Sequence, residues 1–183
     1  MKISKTILPN IITLGNLSLG MIAILLVANS SPKNDLLVIA SFLVMFAALT
    51  DRLDGQVARR LNAVSDLGKE LDSLADLVSF GIAPIVIAWK MCLMSLGPVG
   101  AIICVIYPLA GAYRLARFNT SDFDNVFMGI PITIAGALMS LINLINLFSM
   151  IKGRFHFAYT IITAIATLLI SFLMVSKIKI DKR

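Results

Sequence analysis

Charge is scarce in this chain. Lysine, arginine, aspartate and glutamate make up 14% of its 183 residues, against roughly 25% in a soluble domain. Histidine occurs once, as His156, and cysteine twice. One histidine leaves almost no material for a His-rich metal centre or a Ser-His-Asp arrangement. Cys92 and Cys104 stand twelve apart in apolar surroundings. They lack the spacing of a zinc or redox pair and read as small buried hydrophobes. No Ser-, Gly- or Pro-rich linker, low-complexity tract or internal repeat divides the chain, so 1–183 reads as one domain.

What is abundant is oil. Hydrophobic residues reach 58% and mean hydropathy is +0.93. A helix crosses the hydrocarbon core in about 20 residues. Six runs fit, at 10–28, 35–54, 71–89, 95–116, 127–148 and 157–176. The expectation is an all-α, polytopic membrane protein with six transmembrane helices. The first run follows Lys2 and Lys5 but is long for a signal peptide and has no small-residue cleavage site after it, so it counts as a span. Net charge is +6. With the N-terminus inside, twelve cations fall on the cytoplasmic side: Lys2, Lys5, Arg52, Arg59, Arg60, Lys69, Arg114, Arg117, Lys177, Lys179, Lys182 and Arg183. Only Lys33, Lys90, Lys152 and Arg154 fall outside. That asymmetry predicts cytoplasmic termini in a cell membrane, with the basic residues facing anionic lipid heads and no nucleic acid as partner.

Acidic residues number ten, and six lie between Asp51 and Asp76: Asp51, Asp54, Asp66, Glu70, Asp72 and Asp76. Asp51 and Asp54 are one helical turn apart, and Asp72 and Asp76 share a helix face. A short loop joins the two antiparallel spans, so the pairs can face each other near the cytoplasmic surface. Ionised carboxylates there repel and are costly to desolvate. Either Arg52, Arg59, Arg60 and Lys69 neutralise them, or divalent metal does. Four hard oxygen donors suit Mg²⁺ or Mn²⁺. Gly55, Ala58 and Gly68 are small, which admits a ligand or close helix packing. Asp66 follows Ser65 and reads as a capping or dipole residue; Glu70 reads as water-facing beside Lys69.

The spacing Asp51-x2-Asp54-Gly55-x2-Ala58-Arg59-x8-Gly68-x3-Asp72-x3-Asp76 resembles, without a gap, the signature of the CDP-alcohol phosphotransferase family. The resemblance implies a helical membrane enzyme, a homodimer with two divalent ions, Mg²⁺ or Mn²⁺. Such an enzyme moves a substituted phosphate from a CDP-linked donor to an alcohol and releases CMP. It implies that Asp51, Asp54, Asp72 and Asp76 are metal ligands and that Asp76 is also the general base. Gly55, Ala58, Arg59, Ser65 and Gly68 match the part that holds CDP. The stretch containing Pro9 and Asn10 resembles the segment that closes over the nucleotide.

Four further stretches, "DSLADLVSFGIAP" (72–84), "YRLARFN" (113–119), "GIPI" (129–132) and "LMVSKIK" (173–179), resemble the family's bacterial integral-membrane branch that uses serine. The resemblance then implies CDP-diacylglycerol as donor, L-serine as acceptor and a site facing the cytoplasm. Arg114 and Arg117, three apart on one helix face, can hold a carboxylate or lipid phosphate, with Asn119 beside them; membrane anchoring is the other reading. Lys177 reads as an anchor. Pro84, Pro108 and Pro131 fall inside spans three, four and five and predict bends there. Alternatives are a family member with another acceptor, such as glycerol 3-phosphate, and a divalent-ion carrier. A carrier predicts polar residues continuing through several spans.

Overall fold

The computed structural model describes residues 7–31, 35–60, 65–120, 127–176 and 179–180. For residues 7–8, 52–60, 127–128 and 179–180 it describes the backbone alone. Six long helices follow one another: α1 (Ile7–Ala28), α2 (Asp35–Arg60), α3 (Asp66–Met91), α4 (Pro98–Thr120), α5 (Ile132–Ile151) and α6 (Phe157–Val175). All but α2 are long and apolar enough over their described residues to cross a membrane. The protein is a multi-pass, all-helical membrane protein. Its extended structure among the described residues is one two-residue antiparallel ladder, β1 (Phe127–Met128) with β2 (Lys179–Ile180).

The helices are built for lipid as solvent. On α1 the buried residues are Pro9, Thr13, Asn16, Gly20, Ala23 and Val27, one every three or four positions. Ile11, Leu14, Met21, Ile22 and Leu25 point out. α2 repeats the pattern, with Leu37, Ala40, Ser41, Val44 and Ala47 buried and Ile39, Phe42, Phe46 and Leu49 exposed. Hydrocarbon is as apolar as leucine, so burying leucine gains little; small residues gain by letting backbones touch. Gly20 shows this: a Cβ there would lie 2.8 Å from the Cα of Ser79 on α3. Gly136 does the same for α5, where a Cβ would lie 2.8 Å from the Cα of Phe80.

α1 packs along α2 and α3, α2 along α5, and α4 along α6. α3 widens into π geometry over Leu77–Ile82, where the Ala83 N–H reaches back to the Val78 carbonyl. Pro84 follows. Lacking an N–H, it cannot serve the Phe80 carbonyl one turn back. The Tyr107 hydroxyl donates to that carbonyl instead, at 3.3 Å. Asn143 Nδ2 donates to the Pro84 carbonyl at 2.8 Å. The widened turn thus has its partners built in, from α4 and α5.

A second polar seam joins α5 and α6 through buried Ser140, Asn143, Asn146, Thr160, Thr163, Thr167 and Ser171. It carries no charge. Asn146 Nδ2 donates to Thr163 Oγ1 at 2.7 Å, and Thr163, Thr167 and Ser171 donate to carbonyls one turn back. The Asn146–Thr163 bond fixes α5 to α6, while the other three satisfy hydroxyls within α6.

Several boundaries differ from the expectation: α2 runs on to Arg60 rather than 54 and α4 covers Pro98–Thr120 rather than 95–116, and two helix starts have a clear local cause. α3 begins at Asp66 rather than 71, because Ser65 caps it: Ser65 Oγ accepts from the Gly68 N–H at 3.1 Å. α5 begins at Ile132 rather than 127, and Pro131 is its N-cap residue, so this proline starts a helix instead of bending one. The five residues before Ile132 are strand and bend. Gly129 turns the chain at φ 73°, and the Ile130 N–H donates to the Leu173 carbonyl at 3.2 Å.

Candidate active site

Asp51 continues the α2 seam 37-40-44-47-51 past its last buried alanine. Asp72 and Asp76 stand one turn apart on α3, just before the π segment. One oxygen from each of Asp51, Asp72 and Asp76 lies within 4.8 Å of the other two. Asp76 is buried, with 8% of its surface exposed, while Asp51 and Asp72 are half-buried. Asp54 lies one turn beyond Asp51 on the α2 backbone. Its side chain, and those of Ala58 and Arg59, lie outside the described residues, as do Lys177, the side chains of Arg52 and Arg60 and the surroundings of Gly55.

Two contacts come from helices far away in sequence. Thr133, in the first turn of α5, donates its hydroxyl to Asp51 Oδ2 at 3.1 Å. Arg114 on α4 is 7% exposed and near enough to Asp76 for the two charges to interact. Besides the near neighbours Arg52, Arg59 and Arg60, whose side chains lie outside the described residues, α4 brings a cation from 38 residues on. Three carboxylates and one guanidinium still leave a formal charge of −2 among these side chains. Each carboxylate pair at this spacing repels by about 3 kcal/mol at an effective dielectric of about 20. Hard, anionic oxygens converging from two helices with that residual charge fit a divalent ion such as Mg²⁺ or Mn²⁺.

Asn10, Ser65 and Gly68 meet above the carboxylates. A Cβ on Gly68 would lie 3.1 Å from both Asn10 Oδ1 and Ser65 Oγ. Pro9 is buried beside them, and its carbonyl accepts from Thr13 Oγ1 at 3.2 Å. These groups surround the N-terminus of α3, whose free N–H groups and dipole favour an anion. Asp72 and Asp76 follow Gly68 by about 6 and 12 Å along the helix.

The remaining basic and polar candidates are occupied differently. Arg117 donates to the Val175 carbonyl at 3.0 Å and the Ser176 carbonyl at 3.4 Å, capping the end of α6. It also sits 5.8 Å from the Tyr113 ring centroid. Asn119 Nδ2 donates to Ser73 Oγ at 3.0 Å and Glu70 Oε1 at 3.3 Å, tying α4 to α3. Glu70, expected to face water beside Lys69, is exposed and also accepts that bond. Of the three residues assigned to the acceptor, Arg114 is the one whose charge interacts with Asp76 among the contacts described above.

Membrane helices that present converging aspartates beside a buried arginine define a class. The chain belongs to the CDP-alcohol phosphatidyltransferase family, whose model matches residues 6–175. More particularly, it is similar to the CDP-diacylglycerol--serine O-phosphatidyltransferase of Bacillus subtilis (strain 168). The two are 38% identical over 174 residues, covering 94% of this chain and 88% of that one. A protein of the same name from Methanocaldococcus jannaschii is 37% identical over 171 residues, covering 93% of this chain and 72% of that one. The Helicobacter pylori (strain ATCC 700392 / 26695) protein of that name is 36% identical over 152 residues, covering 81% of this chain and 60% of that one.

Proposed function

We propose that this chain is a phosphatidylserine synthase, transferring the phosphatidyl group of CDP-diacylglycerol to the hydroxyl of L-serine with release of CMP. The observation that carries the proposal is the meeting of Asp51, Asp72 and Asp76 within 4.8 Å, beside Arg114, in a chain of this family. The relatives' shared name supports serine as the acceptor.

Asp51, Asp54, Asp72 and Asp76 would hold two divalent ions, Mg²⁺ or Mn²⁺. When bound, these supply charge compensation for the donor's pyrophosphate and for the departing CMP. Pro9, Asn10, Ser65 and Gly68 take the CDP part at the head of α3, with Gly55, Ala58 and Arg59 opposite on α2. Arg114 receives the carboxylate of serine, which puts the serine hydroxyl next to Asp76. Asp76 accepts the hydroxyl proton as the oxygen attacks phosphorus, and the bond to the CMP oxygen breaks. Arg117 and Asn119 act one step removed, by fixing α4 against α6 and α3.

In this reading α2 is a sixth span and both termini are cytoplasmic, as the twelve-to-four distribution of cations supports. The site then opens to the cytoplasm of a homodimeric enzyme in the cell membrane. The polar seam between α5 and α6 carries no carboxylate, which gives an ion carrier no charged path.

The test is an acceptor screen on detergent-purified protein with CDP-diacylglycerol and Mg²⁺ or Mn²⁺. CMP should appear with L-serine. Release with glycerol 3-phosphate or inositol phosphate, and none with serine, would move the chain to another branch of the family.

A further inference from the structure

Asn16 is the feature that neither the fold nor the proposed mechanism accounts for. It lies on the buried seam of α1 with 1% of its surface exposed. Neither Oδ1 nor Nδ2 has a hydrogen-bond partner among the described residues. A carboxamide removed from water without replacement bonds opposes folding. Its neighbours on the seam are small or apolar, and a leucine would fill the same space without that cost.

The register of α1 against α3 shows where the carboxamide sits. The two helices run side by side in the same direction. Near their starts, Gly68 faces Asn10; further on, Gly20 touches Ser79. Between them, Ser79 Oγ donates to the Asn16 backbone carbonyl at 3.0 Å. Ten residues on α1 therefore match eleven on α3, and Asn16 Cα is level with Ala75. Residues 68, 72, 75 and 79 lie within about 60° of one another around α3. That face is the one turned to α1. A helical side chain leans toward its own N-terminus. From a Cα level with the fully buried Ala75, that lean carries the Asn16 carboxamide toward the turn that holds Asp72.

We propose that Asn16 is a positioning residue of the carboxylate centre: its amide N–H group donates to Asp72 when that carboxylate turns to a divalent cation. One Asp72 oxygen then faces the cation and the other faces α1, where Asn16 offers two donors and no competing charge. A neutral donor suits the place, because it orients the carboxylate without cancelling the negative charge that attracts the ion. The bond forms with the ion, which explains an amide buried beforehand with nothing to hold. This inference rests on the cation reading of Asp51, Asp72 and Asp76.

The test is Mn²⁺ binding to substrate-free, detergent-purified protein, followed by electron paramagnetic resonance, with thermal unfolding of the metal-free protein alongside. Asn16→Leu should weaken Mn²⁺ binding about 10- to 100-fold. The metal-free melting temperature should stay the same or rise, since the orphaned amide is gone. Asn16→Asp, which keeps the shape and adds an anion, should tighten Mn²⁺ binding. In an Asp72→Asn background, Asn16→Leu should add no further loss. Mn²⁺ affinity within twofold of wild type in both single variants overturns the proposal, as does an undiminished effect of Asn16→Leu in the Asp72→Asn background. A lowered metal-free melting temperature for Asn16→Leu overturns it as well, by showing that the amide serves packing. Failure of the wild type to bind Mn²⁺ removes the cation reading itself; normal wild-type binding with unaffected Asn16 variants removes this inference alone.

Discussion

Replacing Thr133 by valine removes one hydroxyl and keeps the side-chain volume. In the structure that hydroxyl donates to Asp51 Oδ2 at 3.1 Å, across 82 residues of sequence. A hydrogen bond to an ionised group contributes about 1.5–3 kcal/mol when buried. This one is only partly buried, so about 1–2 kcal/mol is the reasonable range. Each 1.4 kcal/mol is a factor of ten. If the bond holds Asp51 in its working orientation, Thr133→Val should lower kcat/KM for CMP release about 5- to 30-fold. Stability should change little, because the lost bond is offset by easier burial of a methyl group. Thr133→Ser restores the hydroxyl on a freer side chain and should recover most of the rate. The assay is CMP release at saturating serine and varied CDP-diacylglycerol, repeated across a Mn²⁺ series. A Thr133→Val enzyme within twofold of wild type would refute the idea that α5 orients Asp51. An equal loss in Thr133→Ser would place the effect in packing rather than in the hydroxyl.

Other outcomes separate chemistry from scaffolding. Asp76→Asn should abolish CMP release while the protein still binds CDP-diacylglycerol; a turnover rate near wild type would dismiss Asp76 as the base. Arg114→Gln should raise the serine KM at least tenfold, because it removes the cation beside Asp76, and an unchanged KM would take the serine carboxylate elsewhere. Arg117→Ala should instead lower thermal stability, since it strips two carbonyl contacts from the end of α6, with the serine KM unaltered. A raised serine KM in Arg117→Ala without loss of stability would return that residue to the binding site.

The carboxylate spacing made the centre of the site legible from sequence, because positions three or four apart on a helix must share a face. The distribution of apolar runs likewise revealed the helical membrane architecture. Helix starts were less legible. The first turn of α3 is polar, so hydropathy placed the span at 71, although the capping reading of Ser65 and Asp66 already marked the true start. The first turn of α5 was misplaced because Pro131 lies in an unbroken apolar stretch, and only its role as N-cap distinguishes it from a kink. Thr133 and Asn16 were invisible for another reason. Each is one of several neutral polar residues in an oily helix, which sequence alone equates with interhelical packing, and what sets each apart is its place in the bundle: Thr133 against Asp51, and Asn16 buried with no side-chain partner. Arg114 could be named beforehand, but sequence gave Arg117 and Asn119 equal standing; the carbonyls of Val175 and Ser176 and the hydroxyl of Ser73 distinguish them.

The small-inside, large-outside construction of α1 and α2 inverts the usual map of mutational tolerance. In a water-soluble enzyme the bulky hydrophobes are the positions that resist change. Here Phe42, Phe46, Leu109 and Phe172 face outward and can be exchanged among oily residues with little consequence. The unforgiving positions are the least conspicuous letters in the sequence. Gly20, Ala23, Ala47 and Gly136 occupy the places where helices meet, and a single added methyl at Gly20 or Gly136 would push two backbones apart. A saturation scan of this chain would therefore trace its interior as a record of intolerance to size rather than to polarity.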